Sequence, residues 1–270
     1  MTARLMDLIA NRRADPQAVV DELNRSYVPS ARTRYNSEFG PRYFGRPPVE
    51  PVPTDPRRLT DFRSRLGALI EYGLGVTLDA LFQEDFGPGL RWSFVVANQY
   101  PDFYVRDLSG GILLRIDCKL LHDESDEYSA RFALPVADIA PEEDLLLYGA
   151  WQWRTMSWGG HPLVYPHVLE LLVVPAIDVA EERDRHLAIR GGRIESDGRA
   201  IVPPNWALDT NYGKINRIVH RDRREAPDLS PNVRAFLDFT RRHSEAVRRA
   251  AGEEAVGTPT ADEVVAPPTD

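Results

Sequence analysis

Hydrophobic positions along this chain change spacing in a way that marks its elements. Asp15-Pro16 supplies a helix N-cap and a first-turn proline, and predicts a helix to about Tyr27. A second helix is predicted over about Thr60–Gln83, where Leu66, Ile70, Leu74, Leu78 and Leu81 recur at helical spacing. Between them Pro29–Asp55 is rich in proline, arginine and aromatics without periodicity, so a wrapping loop or arm is expected. From Arg91 the alternation becomes that of strands, over Arg91–Asn98 and Asp102–Arg106. After the turn signal at Asp107–Gly111 comes Ile112–Leu121. There Ile116, Cys118 and Leu120 face one way and Arg115, Asp117 and Lys119 the other. Asp144–Thr155 and His167–Val174 predict two further strands, the second leading into a helix near Val179–Leu187. A turn-rich stretch, Gly191–Asn205, suggests a hairpin around Ser196-Asp197-Gly198. Ser230-Pro231 opens a last helix to about Ala251, with Val233, Phe236, Leu237 and Phe239 as its buried side.

Composition narrows the class. A length of 270 residues with 43% hydrophobic and 27% charged content suits a soluble globular protein. The apolar run Val168–Ile177, broken by Glu170 and Pro175, falls well short of the ~20 residues a membrane span needs. Met1–Arg13 is too short and too quickly charged for a secretory signal, and a cytoplasmic location is expected. A single cysteine excludes an internal disulfide and a cysteine-rich zinc site.

The net charge of −8 is uneven, because Ala251–Asp270 holds five acids and no base. This tail is expected to be disordered. Lys214–Arg249 carries ten basic residues against five acids, a balance able to attract phosphate even in an acidic chain. The organisation expected is an N-terminal helix and arm over 1–57, a core with accessory elements over 58–251 and an acidic tail over 252–270.

Two lysines stand against 31 arginines, and one of them, Lys119, sits in Asp117-Cys118-Lys119. Arginine serves most surface electrostatics, but its planar guanidinium cannot replace a compact ammonium. The hairpin gives Lys119 neighbours. A turn at Ser109-Gly110 pairs Asp102 with Asp117, and a turn at Gly110-Gly111 pairs Asp102 with Lys119. Either register puts Asp102, Asp117 and Lys119 on one face. Converging carboxylates repel without a cation. Hard oxygen ligands suit Mg²⁺, which can activate water and stabilise charge developing on a phosphate. Cys118 points to the opposite face and reads as a small core residue. His161 and His167 lack metal spacing and read as surface or packing residues. Gly213-Lys214 is not a phosphate-binding loop, since Leu208 stands where its first glycine belongs, and no G-x-S-x-G is present.

Pro101-Asp102, fourteen intervening residues and then Asp117-Cys118-Lys119 resemble the motif of the PD-(D/E)xK nuclease superfamily, which includes most type II restriction endonucleases. The resemblance covers about Thr60–Leu121. It implies an α/β (α+β) fold, a central mixed sheet flanked by helices. It implies Mg²⁺ held by Asp102, Asp117 and the Cys118 carbonyl, Lys119 near the attacking water, and an acidic residue on the preceding helix. Glu71 fits that last place, bordering the buried stripe, with Asp79 and Glu84 as weaker substitutes. The expected function is Mg²⁺-dependent cleavage of double-stranded DNA at a specific site, leaving 5′-phosphate and 3′-hydroxyl ends. The expected partners are a second copy of the chain and a cognate methyltransferase acting on the same site. The alternatives are a repair, recombination or phage-defence nuclease of the same fold, or a non-catalytic DNA-binding protein that keeps it. Asn211, Lys214, Asn216 and Arg217 group amide and cationic side chains suited to DNA contact. Trp151, Trp153, Trp158 and Trp206 could stack on bases, with core packing the better assignment for most.

Overall fold

The computed structural model describes residues 2–95, 100–123, 131–202, 212–213 and 226–243. Its centre is a five-stranded mixed sheet: β1 (Leu90–Phe94), β2 (Phe103–Asp107), β3 (Ile112–His122), β4 (Asp144–Trp158) and β5 (His161–Pro175), in spatial order β1-β2-β3-β4-β5. All neighbours are antiparallel except β3 and β4, which run parallel. A parallel pair needs a crossover, here the chain between His122 and Asp144 with its 3₁₀ turn at Val136–Asp138. One face of the sheet packs on the N-terminal helices α1 (Thr2–Ala10), α2 (Pro16–Glu22), α3 (Val28–Arg34), α4 (Gly40–Phe44) and α5 (Pro56–Phe86). The other packs on α6 (Ala176–Ile189) and α7 (Pro231–His243). The fold is therefore mixed α+β, with helices flanking a mixed sheet. Among the described residues no helix is long and apolar enough to cross a membrane.

The arm expected over Pro29–Asp55 is helical in its first half. A nearly continuous helical path from Pro16 to Phe44 is interrupted by two π-helical stretches, Leu23–Tyr27 and Tyr35–Phe39. Each lies just before a proline, Pro29 or Pro41, whose ring would strike the carbonyl four residues back in a regular helix. The wider turn makes room for it and shifts the apolar period, which hides the helix from a reading of spacing alone. Tyr27, Ala31 and Tyr35 are buried on this path.

These helices also cover the edge of the sheet. The Asn24 side chain bonds both the N–H (2.8 Å) and the C=O (2.7 Å) of Val173. Asn36 does the same at Val168 (2.9 and 2.7 Å), and the backbone of Arg46 exchanges two bonds with Val164. An edge strand that would otherwise offer unpaired amides is thus capped by side chains.

Helix α5 begins as its sequence directs. The Asp55 side chain accepts from the Arg58 N–H (3.0 Å), Pro56 sits in the first turn, and Gly87 ends the helix at φ 58°. Leu66, Ile70, Leu74, Leu78 and Phe82 form its buried stripe. Gly75 brings the helix close to β2, since a Cβ there would stand 2.4 Å from a Phe103 ring carbon. Gly75→Ala is expected to cost about 1–2 kcal/mol, overpacking outweighing the better helix propensity of alanine. Urea unfolding measures it, and an unchanged midpoint would show that this contact has slack.

The smaller expectations also meet the structure. Arg193–Ile194 (β6) and Ala200–Ile201 (β7) pair antiparallel around Ser196-Asp197-Gly198. Val233, Phe236, Leu237 and Phe239 are buried on α7. Helix α1 was not expected, and it buries Leu5 and Ile9. The acidic tail, Trp206 and residues 124–130 lie outside the described residues.

Candidate active site

The site forms where β2 stops and β3 continues. Pairing between them runs through Phe103↔Ile116, Tyr104↔Arg115 and Val105↔Leu114. This is the register expected for a turn at Ser109-Gly110, reached by a different route. The loop is one residue longer, closed by the Asp107 N–H to the Gly111 carbonyl (3.0 Å), and a β-bulge after Val105 absorbs the extra residue. Beyond Ile116, β3 has no β2 residue beside it. Asp102 fills that place, its Oδ2 accepting from the Cys118 N–H at 2.7 Å. A carboxylate thus replaces a ladder carbonyl at the open edge of a central strand.

Beside it, Lys119 Nζ pairs with Asp117 Oδ2 at 2.6 Å and donates to the Cys118 carbonyl at 3.3 Å. Both side chains are largely enclosed, with 14% and 9% of their surfaces exposed. The charge of Asp102 acts on the neighbouring Asp117 carboxyl and favours its protonated form. Cys118 is buried on the opposite face with Ile116, and burial pushes its thiol well up, so it is no nucleophile.

Glu71 reaches this group from α5, half-buried. Burial, then the charge of Asp102, push its carboxyl up to about 8, with Lys119 opposing and Asp117 adding. Burial likewise pushes Asp117 up to about 7, with Lys119 opposing and Asp102 assisting. Burial alone would lower Lys119, but Asp117 and Asp102 hold its ammonium above the usual lysine range. Three carboxyls therefore surround one ammonium, and two of them, Glu71 and Asp117, are held toward their protonated forms because full ionisation is costly there.

This has a stability consequence. A carboxyl with a raised folded-state pKa contributes stability that is complete below its ordinary value and lost as pH rises through the folded value. For Glu71 that window runs from 4.5 to about 8. Glu71→Gln is expected to gain on the native protein between pH 5 and pH 8.5 by about 1–3 kcal/mol, solvent at this half-buried position reducing the full linkage value. Urea unfolding at the two pH values in metal-free buffer tests this, and an identical difference at both would refute it.

No protein-family model, no curated protein and no solved structure matches this chain.

The structure thus brings Glu71, Asp102, Asp117 and Lys119 together. It uses Asp79 and Glu84 elsewhere. Asp79 bonds Arg91 (2.9 and 2.8 Å) and the Trp92 N–H (3.0 Å), and Glu84 pairs with Arg34 (2.6 Å). Asn211, Lys214, Asn216 and Arg217 lie outside the described residues. His161 is exposed, and His167 is bonded to Tyr165 and Arg154.

A supporting group escaped the sequence reading. Asp144, fully buried at the start of β4, accepts from the Tyr100 hydroxyl (2.7 Å), the Ala140 N–H (2.6 Å) and the Arg115 guanidinium. Tyr100 stands two residues before Asp102, so this carboxylate anchors the segment that delivers it. Burial and the bond to Asp144 push the Tyr100 phenol well up, and it stays a donor.

The donor set can be tested against a cation. Among the described residues no three His, Cys, Asp or Glu side chains form a ready-made metal cage. Mg²⁺ does not require one, since it binds through one or two carboxylates with water and substrate phosphate completing its shell. Converging acidic groups that retain protons at neutral pH are the electrostatic condition a divalent cation relieves. The residues fit such an ion.

Proposed function

We propose that this chain is a divalent-metal-dependent endonuclease that hydrolyses phosphodiester bonds of double-stranded DNA, built on the restriction-endonuclease-like fold its motif resembles. The observation that carries the reading is the meeting of Asp102, bonded to the Cys118 N–H, with the Asp117–Lys119 pair and Glu71 at the open edge of β3. Such a convergence of acidic groups around one enclosed ammonium is costly to keep without function.

Asp102, Asp117 and the Cys118 carbonyl would hold Mg²⁺, with Glu71 as an additional acidic group. When bound, the cation would polarise the phosphate and neutralise charge developing on it. The remaining work falls to the chain. Lys119, kept charged, donates from Nζ to the attacking water or to a non-bridging phosphate oxygen. Water oxygen forms the new bond to phosphorus and gives up one proton to solvent, the bond from phosphorus to the 3′-oxygen breaks, and that oxygen takes a proton. The products are a 5′-phosphate and a 3′-hydroxyl. Glu71, which holds its proton near neutrality, is placed to exchange one with solvent.

Purified protein incubated with unmethylated phage and plasmid DNA, in Mg²⁺ or in EDTA, tests the reading. Cleavage in Mg²⁺ alone is expected. Fragments of discrete size support a restriction enzyme, which would work as a homodimer beside a methyltransferase for the same site. Nicks confined to branched or single-stranded DNA support a repair or phage-defence enzyme. Absence of metal-dependent cleavage on every DNA form overturns the catalytic reading.

A further inference from the structure

Strands β4 and β5 continue past the sheet as a two-stranded ribbon. Strand β3 ends at His122, opposite Trp151, while β4 runs on to Trp158 and, among the described residues, pairs there only with β5. Seven further residues carry it about 23 Å beyond its neighbour. Gly159 and Gly160, at φ 58° and 83°, make the tight two-residue turn that joins the strands without splaying them. From Ser157 to Pro162 every residue is exposed.

One face of this ribbon is buttressed. Trp153 stacks on Phe62 of α5 at 6.0 Å, and the Arg46 guanidinium lies 4.7 Å from its ring centre. The other face holds Gln152, Arg154, Met156 and Trp158. Alternation along β4 puts them on the side of Leu146 and Tyr148, the positions opposite Asp117 and Lys119. Arg154 is held in place by His167. A guanidinium can only donate, so His167 Nε2 accepts from it (3.2 Å) and Nδ1 carries the ring hydrogen toward the Tyr165 oxygen (2.6 Å).

Charge points to the partner. Acids make up 41 of the 270 residues, yet the 25 from Leu145 to Leu169 contain none. The polar groups the ribbon offers are arginine, histidine, glutamine, serine and threonine, which suit phosphate and base edges and leave no like charge against DNA. A two-stranded ribbon also fits the ~12 Å width of the B-DNA major groove, and the minor groove is too narrow for it. We infer that the outer half of this ribbon, Gln152–Leu163, enters the major groove of duplex DNA while the Asp102–Asp117–Lys119 group meets the backbone on the same side. Arg154 lies six residues along β4 from Tyr148, about 20 Å, comparable to half a helical turn of B-DNA. The inference rests on the nuclease reading for the identity of the bound polymer.

Fluorescence anisotropy with a labelled duplex of mixed sequence tests it, using full-length Asp102→Asn protein in Mg²⁺ to prevent cutting. Arg154→Ala and Trp158→Ala, introduced separately and checked by thermal melting, are each expected to weaken binding about fivefold or more, with a shallower salt dependence for the arginine variant. Methyl green, which occupies the major groove, is expected to displace the protein, and netropsin in the minor groove is not. Cleavage by the native protein together with unchanged duplex affinity in both ribbon variants, or displacement by netropsin alone, overturns this placement and leaves the nuclease reading standing. Failure of the native protein to bind or cut any duplex overturns both.

Discussion

Asp102→Asn is expected to lower metal-dependent cleavage by about 10³-fold while leaving the protein folded. Asparagine keeps the shape of aspartate and an oxygen able to accept from the Cys118 N–H, so the edge bond at 2.7 Å survives the substitution. What disappears is the negative charge and the oxygen pair that a hard cation needs. The loss should appear in kcat/KM measured on plasmid at saturating Mg²⁺. The thermal midpoint without metal should stay or rise, because one of the repelling acidic groups has become neutral. Lys119→Arg should be nearly as inactive. Its guanidinium is larger and planar, and Lys119 occupies an enclosed slot beside Asp117. Full activity in Asp102→Asn would remove this carboxylate from the chemistry whatever the neighbouring residues do. Loss of activity accompanied by a collapsed melting transition would instead make Asp102 a structural cap for β3.

The candidate site was legible because it is local. Asp102, Asp117 and Lys119 lie within one hairpin, where a spacing of two fixes a shared face in either of the two registers the turn signal allowed; the structure adopts one of them through a different loop. A longer loop and a bulge offset each other, and nothing in Leu108–Leu113 announces either. Glu71 was legible for a related reason, since it borders a stripe whose buried members are Ile70, Leu74 and Leu78. The five strands emerged from the change to a period of two, with β4 and β5 longer than their predicted spans. Helices α3 and α4 were hidden because two π turns reset the helical period just where prolines argue for a loop. The ribbon was missed because Gly159, Gly160, Pro162 and Pro166 fall within eight residues and argue for a loop. The contact between Arg115 and Asp144 was invisible because it crosses a parallel pair whose register is set by a long crossover. Sequence spacing is informative where neighbours in space are neighbours in the chain, and long-range pairing of buried polar groups falls outside it.

That long-range group yields the second large effect. Asp144→Ala is expected to destabilise the protein by about 3–5 kcal/mol, the cost of breaking a buried charge pair by removing one partner. Asp144 has no exposed surface and serves three donors, the Arg115 guanidinium, the Tyr100 hydroxyl and the Ala140 N–H. Alanine supplies none of the acceptors, and water has little access to replace them. The melting midpoint should fall by roughly 6–12 °C for a chain of this size. Tyr100→Phe removes only one of the three bonds and should cost about 1 kcal/mol. The two variants also separate stability from function. If Asp144 anchors the segment carrying Asp102, then Tyr100→Phe, still fully folded at the assay temperature, should lose cleavage through kcat with duplex affinity unchanged. A Tyr100→Phe protein of native kcat would confine the Asp144 group to holding β3 and β4 together.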